Sequence, residues 1–249
     1  MVDLASKTAP VPFTPPGAGS AVWLPDGAAV IFQGNRSMEW SPNTIPATPR
    51  TLLSAGVTIP WSVSPDGKRL AYSLLNPQTH FDLWTVPLSW SGSELRAGTP
   101  EPFLTTPAVE TYPSFSPDGQ WMAYVSLQSG AYEVYVKPFG RSGAEVQVSK
   151  GGGRLPIWLK RKREIVYETS DQKLMSVDWR VRNGAFEVGP PRSWSATRLG
   201  DTGVLPNYDV AANGAMLALL PPVGLNPARN QVTFRFHFFE ELERRLPRP

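Results

Sequence analysis

The chain has 249 residues, of which 24 are basic and 21 acidic, so its formal net charge is only +3. A charge this small argues against a dedicated nucleic-acid-binding protein, which usually carries a strong basic field. Cysteine is absent, which excludes disulfides, cysteine-bound zinc and iron–sulfur centres.

The beginning of the chain differs in composition from the rest. Residues 1–19 are rich in Pro, Gly and Ala and are predicted to be a linker or a cut edge. They lack a basic start followed by an apolar run, so no signal peptide is expected. The longest apolar stretch, residues 215–220, is far too short to span a membrane.

A short sequence motif recurs along residues 20–249. It consists of a Pro-Asp-Gly turn, two polar or mixed residues and an apolar strand that ends in an aromatic residue. Three clear copies end at Phe32, Tyr72 and Tyr124, and two worn copies end at Tyr167 and Leu219. Self-similarity at roughly 40 to 50 residues with strand-like units predicts the blades of a β-propeller.

The third copy shows why each repeat should form a four-stranded antiparallel blade. A strand ends at Phe115, and the turn Ser116-Pro117-Asp118-Gly119 leads into a second strand over residues 121–125. Residues 133–138 and 146–149 supply the third and fourth strands. The longer spacings elsewhere come from insertions at residues 89–100 and 180–191, which are predicted to be surface loops.

The predicted fold class is therefore all-β. We expect one β-propeller domain over residues 20–249, with about five blades, or a truncated propeller of six or more. Residues 232–238 alternate like a further strand, and residues 239–246 are predicted to form a short C-terminal helix.

The repeats resemble a known family. Residues 112–124 and 64–72 resemble the WD40-like (PD40) repeat of TolB-type β-propellers, and residues 133–139 are similar to it as well. Residues 238–242 are similar to the close of propellers attached to bacterial serine/threonine kinases. The resemblance implies a propeller from about Ala21 onward, with a sensing or scaffolding role. Two copies depart from the pattern, because residues 160–163 (Lys-Arg-Lys-Arg) and 212–214 (Ala-Asn-Gly) replace Pro-Asp-Gly.

Signatures of catalysis are missing from the sequence. It has no Gly-x-Ser-x-Gly elbow and no kinase motifs, and residues 151–154 lack the spacing of a phosphate-binding loop. Its two histidines, His80 and His237, have no partner at metal-ligand spacing. We therefore expect no catalytic residues, no metal site and no cofactor. Residues 160–163 are interpreted as a solvated hairpin tip, since no matching basic stripe is visible.

A recognition surface is expected where the chain leads into the innermost strand of each blade, because these segments form one mouth of the channel. Aromatic and arginine residues are the usual anchors of protein contacts. For Trp61 and Tyr112, packing between blades is an equally good interpretation. The candidates are Trp61, Glu110, Tyr112, Arg154 and Asn207.

The sequence favours a non-catalytic binding or scaffold module whose partner is a protein or peptide, with a small molecule as a second kind of ligand and nucleic acid not expected. The alternatives are a regulatory C-terminal domain of a bacterial serine/threonine kinase and an enzyme that uses the channel. The compartment is left open by the residues themselves. A TolB-like or kinase-sensor protein would place the propeller in the periplasm or outside the cytoplasm.

Overall fold

The computed structural model describes residues 19–44, 48–211 and 214–221. Within these ranges the chain is all-β and contains no helix, and none of them holds a helix able to cross a membrane. The predicted linker before Gly19, the strand at 232–238 and the helix at 239–246 lie outside the described residues. The chain divides into two compact units, of which the first ends at Gly119 and the second begins at Gln120.

The described part of the first unit contains ten strands. In chain order they are β1 (Ala21–Trp23), β2 (Ala29–Gln33), β3 (Met38–Pro42), β4 (Arg50–Leu53), β5 (Thr58–Val63), β6 (Arg69–Asn76), β7 (His80–Ser91), β8 (Glu94–Ala97), β9 (Glu101–Leu104) and β10 (Glu110–Phe115).

Ten further strands lie among the residues that the structure describes in the second unit. They are β11 (Trp121–Ser126), β12 (Glu133–Pro138), β13 (Val146–Gln147), β14 (Arg154–Leu159), β15 (Glu164–Glu168), β16 (Leu174–Arg182), β17 (Ala185–Val188), β18 (Arg192–Ser195), β19 (Tyr208–Val210) and β20 (Met216–Ala218). Each of the five predicted strand-turn-strand cores is thus present as two successive strands.

The sheets are antiparallel meanders, as the repeats predict. In the first unit β1-β2-β3-β4 form one sheet, and β5-β6-β7-β8 form the next, with β9 also paired to β7. In the second unit β12 lies between β11 and β13, and β14-β15-β16-β17 form a sheet in which β18 also pairs with β16. The predicted fourth strands at 102–104, 146–149 and 192–195 are confirmed as β9, β13 and β18.

The two insertions are not loops, and here the prediction was wrong. In the two blades that carry the insertions, the third strand continues past its partner and folds back as a hairpin. β7 pairs with β9 over Leu83–Thr85 and with β8 over Leu88–Ser91. β16 likewise pairs with β18 first and then with β17. We call these two structures the extension hairpins.

Each extension hairpin packs on the sheet that precedes it in the chain. In the first unit Trp90 of β7 meets Trp40 of β3 edge to face, with ring centroids 5.6 Å apart. Glu94 of β8 forms an ion pair with Arg50 of β4. In the second unit Phe186 of β17 lies 4.9 Å from the ring of Trp121 on β11. The aromatic residues of the insertions are therefore packing residues.

The Pro-Asp-Gly turns have the geometry that their sequence predicts. Gly27, Gly67 and Gly119 lie at φ +70°, +73° and +69°, a region that side-chain-bearing residues rarely adopt. Asp66 accepts hydrogen bonds from the Ser64 hydroxyl at 2.6 Å and the Lys68 amide at 3.1 Å. The Ser64 bond, followed by the Lys68 amide, lowers the pKa of Asp66. These aspartates are turn residues, as expected.

The core of the first unit is built from the inner faces of its first two sheets. Because each sheet is apolar on one face, it is stable only when another sheet covers that face. The side chains of this cluster come from strands β2–β4 and β6–β8 and from the first turn. They are Leu24, Ala29, Ile31, Met38, Trp40, Leu52, Leu70, Tyr72, Val86, Leu88 and Leu95.

Replacing Gly67 with Val should destabilise the first unit by about 1–2 kcal/mol or more, because a β-branched residue is strongly disfavoured at positive φ. Lys68→Ala is the matched control in the same turn. Its exposed side chain makes no contact that the turn needs, so we expect a change within about 0.5 kcal/mol. Urea unfolding measures both, and equal midpoints would contradict the turn geometry.

Alkaline pH should weaken the fold through Tyr72. Burial raises the pKa of Tyr72 to about 12, from the usual 10.0. Between these two pKa values the folded state keeps a proton that the unfolded chain releases. The contribution of this group to the free energy of unfolding is therefore complete below pH 10 and is lost as the pH rises from about 10 to 12.

The matched variant for this prediction is Tyr72→Phe. The Tyr72 hydroxyl has no hydrogen-bond partner among the described residues, so we expect Tyr72→Phe to unfold no earlier than the parent at neutral pH. It should also lose less stability on going to about pH 11. An alkaline loss equal to that of the parent would refute the assignment to Tyr72.

Candidate functional site

The five residues predicted to form a binding mouth lie on or directly before strands β5, β10, β14 and β19, three of them in the first unit and two in the second. Trp61, Glu110 and Tyr112 belong to the first unit, on β5 and β10. Arg154 and Asn207 belong to the second unit, at the start of β14 and immediately before β19.

Trp61 and Tyr112 are brought together. Their ring centroids are 4.6 Å apart with an interplanar angle of 63°. Trp61 lies at a β-bulge between Pro60 and Ser62, and its indole N–H donates to the Ser73 hydroxyl at 2.9 Å. Trp61 is partly exposed, whereas Tyr112 is 8% exposed and has a φ of +53°. For Tyr112 packing is therefore the main role, and Trp61 retains an accessible surface.

Glu110 was expected to contact a partner, but its side chain does not face solvent. It is 0% exposed, and its carboxylate accepts a hydrogen bond from the hydroxyl of Thr106. A partner cannot reach a side chain that is fully buried in this way. Thr106 precedes β10 by four residues and was not indicated by the sequence pattern.

Arg154 and Asn207 share one partner, Glu168 at the end of β15. The Arg154 Nε–H donates to Glu168 Oε2 at 2.8 Å, and the Asn207 amide donates to Glu168 Oε1 at 2.6 Å. The Glu168 side chain is 0% exposed and that of Arg154 is 23% exposed. The buried carboxylate is thus neutralised by a cation that still reaches solvent.

The loop between β18 and β19 completes this second group. Arg154 Nη1 donates to the Gly203 carbonyl at 2.8 Å, and Asn207 Nδ2 also donates to the Gly200 carbonyl at 3.1 Å. Tyr208 donates to the carbonyl of Leu155. Burial first, and then the charge of Glu168, raises the pKa of Tyr208 far above its usual value. This network fixes the loop against β14.

The glycine run at 151–153 has a structural explanation. The amides of Gly151 and Gly152 donate to Glu133 Oε1 at 2.7 and 2.9 Å, and the Ser149 hydroxyl donates to Glu133 Oε2. Two successive amides of this kind form an anion-binding nest. The anion here is Glu133 of the same chain, so the glycine run is occupied by an internal carboxylate.

A cavity of about 660 Å³ lies at the other end of the strands in the first unit. It is bounded by the first two Pro-Asp-Gly turns and by Trp90, which is 44% exposed. None of the predicted mouth residues lines it. Sequence reasoning missed it because Trp90 was assigned to a surface loop.

Comparison with known proteins supports the fold. No family model matches the chain. A TolB from Acinetobacter baumannii superimposes with a TM-score of 0.55 over 82% of this chain and 49% of its own, at 15% identity. A TolB-type protein from Agrobacterium tumefaciens gives 0.52 over 70% and 65%, at 18% identity. The chain has the fold of a TolB-like β-propeller.

Enzymes share this fold. A periplasmic gluconolactonase from Pseudomonas aeruginosa gives a TM-score of 0.54 over 87% of this chain and 70% of its own, at 14% identity. The chain spans 49% of the length of one TolB protein and 65% of the length of the other. At these identities the likeness concerns the fold alone, and the kinase context suggested by residues 238–242 has no support among these structures.

Replacing Arg154 with Ala should destabilise the second unit far more than replacing Arg180 with Ala. Both arginines donate through Nε to a glutamate, at 2.8 and 2.6 Å. Arg154→Ala leaves the buried Glu168 charge without its cation, which costs about 3–5 kcal/mol. The Arg180–Glu187 pair is exposed at 64% and 36% and contributes less than about 1 kcal/mol. Urea unfolding compares the two, and similar losses would show that Glu168 is not buried as described.

Proposed function

We propose that this chain is a non-catalytic binding module of the TolB-like type, and that its partner is a protein or peptide that contacts the starts of the innermost strands. The observation that carries the proposal is Trp61, a partly exposed indole held in one orientation by Ser73 and Tyr112. An aromatic anchor that is already ordered loses little conformational entropy on binding.

The roles of the five predicted residues are divided by burial. Trp61 and the partly exposed Arg154 present atoms to a partner. Tyr112 packs against the indole of Trp61. Asn207 donates a hydrogen bond to Gly200, in the same loop whose Gly203 carbonyl accepts a hydrogen bond from Arg154. Glu110 is fully buried and accepts a hydrogen bond from the Thr106 hydroxyl. The proposed contact is therefore Trp61 within the first unit and Arg154 within the second unit.

The carboxylates at these strand starts are poorly placed for catalysis. A general base must reach the proton it removes within about 2.6–3.2 Å. Glu110 and Glu168 are both 0% exposed, and Glu168 is engaged by Arg154 and Asn207 at once. This favours binding over an enzymatic role of the kind that the gluconolactonase likeness raises.

Replacing Trp61 with Ala should abolish partner capture by the immobilised chain from a native extract. We expect at least about a ten-fold loss, which corresponds to about 1.4 kcal/mol. Trp23→Ala is the matched control, because Trp23 is a 44% exposed indole at the end of β1 in the same unit. The variants are first matched for thermal stability. Equal capture by Trp61→Ala and the parent would refute the assigned surface.

Catalysis is tested separately with the same preparations. We expect no hydrolysis of glucono-δ-lactone above the spontaneous rate. Turnover that a substitution at Arg154 or Trp61 removes, in a variant that remains folded, would establish the channel as an active site and overturn the binding-module proposal.

A further inference from the structure

A concentration of positive charge lies at one end of the β14–β18 sheet in the second unit. Residues 160–163 form the turn between β14 and β15, and β16 runs back to the same end of the sheet. The register pairs Glu164 with Asp178, and the Trp179 amide donates to the Arg163 carbonyl at 2.9 Å. Arg180 follows Trp179 directly, and Arg182 lies two residues further along the same face of the extension hairpin.

We call this surface the basic hairpin end and define it as Lys160, Arg161, Lys162, Arg163, Arg180 and Arg182. All six are exposed. The isolated basic run of the sequence is thus extended by two arginines that are about twenty residues away in the chain. The turn at residues 160–163 is exposed, in agreement with a solvated hairpin tip.

The basic hairpin end carries more positive charge than the carboxylates around it neutralise. Three carboxylates lie there, and each is already in an ion pair: Glu187 with Arg180, and both Glu164 and Asp178 with Arg192. Counting Arg192, seven cations face three carboxylates. The rest of the chain has 17 basic and 18 acidic residues, so its net positive charge resides here.

Five of these cations have no carboxylate within ion-pair distance in the described part of the chain. They are Lys160, Arg161, Lys162, Arg163 and Arg182. Like charges placed together without counter-ions repel one another, and an external anion would relieve that repulsion. This points to an anionic ligand.

The surroundings discriminate between kinds of anion. The aromatic rings beneath the surface pack on one another, with Trp179 and Phe186 stacked at 5.4 Å and Trp158 edge-on at 5.3 Å from Trp179. The guanidinium of Arg163 lies over Trp179, 5.7 Å from the ring centroid, so the described rings here already contact other side chains, whereas single-stranded nucleic acids require ring faces on which their bases can stack. The turns at 160–163 and 183–184 carry only polar residues and glycine, so they offer nothing to insert into a bilayer.

The size of the surface matches a short extended peptide. It covers the ends of β14, β15 and β16, and neighbouring strands are about 4.8 Å apart, so it is roughly 10–15 Å wide. About four or five extended residues span that width. A duplex contact of about 6–10 phosphates would need a longer basic surface.

We propose that the basic hairpin end binds an acidic segment of a partner protein, a run of Asp and Glu residues whose carboxylates pair with these lysines and arginines. The surface is separate from the strand starts assigned above. Arg154 begins β14 and Lys160 follows its last residue, so the two lie about 20 Å apart along the strand.

The proposal is tested with a fluorescein-labelled peptide of about six glutamates, long enough to span the surface in extended form. Fluorescence anisotropy measures its affinity for the whole chain between about 50 and 200 mM salt. We expect affinity to fall with salt. The triple variant Lys160→Glu, Arg161→Glu, Arg182→Glu should lose at least about ten-fold in affinity.

The control triple, Lys68→Glu, Arg96→Glu, Lys150→Glu, changes the net charge by the same amount at exposed cations elsewhere. We expect it to lose less than about three-fold, and Trp61→Ala to bind as the parent does. Thermal unfolding establishes that both triples are folded, and a Gln triple at 160, 161 and 182 should give an intermediate loss.

Equal losses in the two charge-reversal triples would mean that net charge alone is responsible and would overturn the proposal. So would preferential binding, at the same salt concentration, of a DNA duplex or of vesicles containing an anionic phospholipid. If Trp61→Ala loses capture of its partner but keeps the glutamate peptide, the two surfaces act independently.

Discussion

Covering the apolar faces of twisted sheets is the constraint on which this molecule depends. A four-stranded antiparallel sheet buries its side chains only against another sheet, and the first two sheets of the first unit do this through one continuous cluster that includes Trp40, Tyr72 and Leu95. Leu95 belongs to an extension hairpin, so the insertion, although it interrupts the repeat in sequence, contributes a side chain to the core.

Much of the fold follows from local chemistry that a sequence displays. Pro-Asp-Gly specifies a tight turn, and alternating apolar residues after it specify a half-buried strand, so the positions of β2, β6 and β11 could be predicted closely. The extension hairpins could not. Residues such as Trp90 and Phe186 lie among polar residues and glycines, and only their contacts with the preceding sheet show that they are buried against it or packed on it.

The candidate site was harder to predict than the fold, because exposure depends on partners that are distant in sequence. Glu110 and Asn207 occupy the expected strand starts but are buried. The residue that organises the second group, Glu168, has no local signal at all, since a glutamate at a strand end is ordinarily solvated. The basic hairpin end was missed for the same reason, because its register with β16 is a tertiary property.

The extension hairpins indicate which part of such a chain would unfold, or be duplicated in evolution, as one element. Each is continuous with the third strand of one sheet and packs on the sheet before it, Trp90 and Glu94 on β3 and β4, and Phe186 on β11. Removing either sheet of such a couple would strip apolar surface from the other. Two sheets with their shared hairpin, and not the single repeat of the sequence, are then the natural cooperative element, and gene duplication or deletion that respects stability would proceed by pairs of repeats.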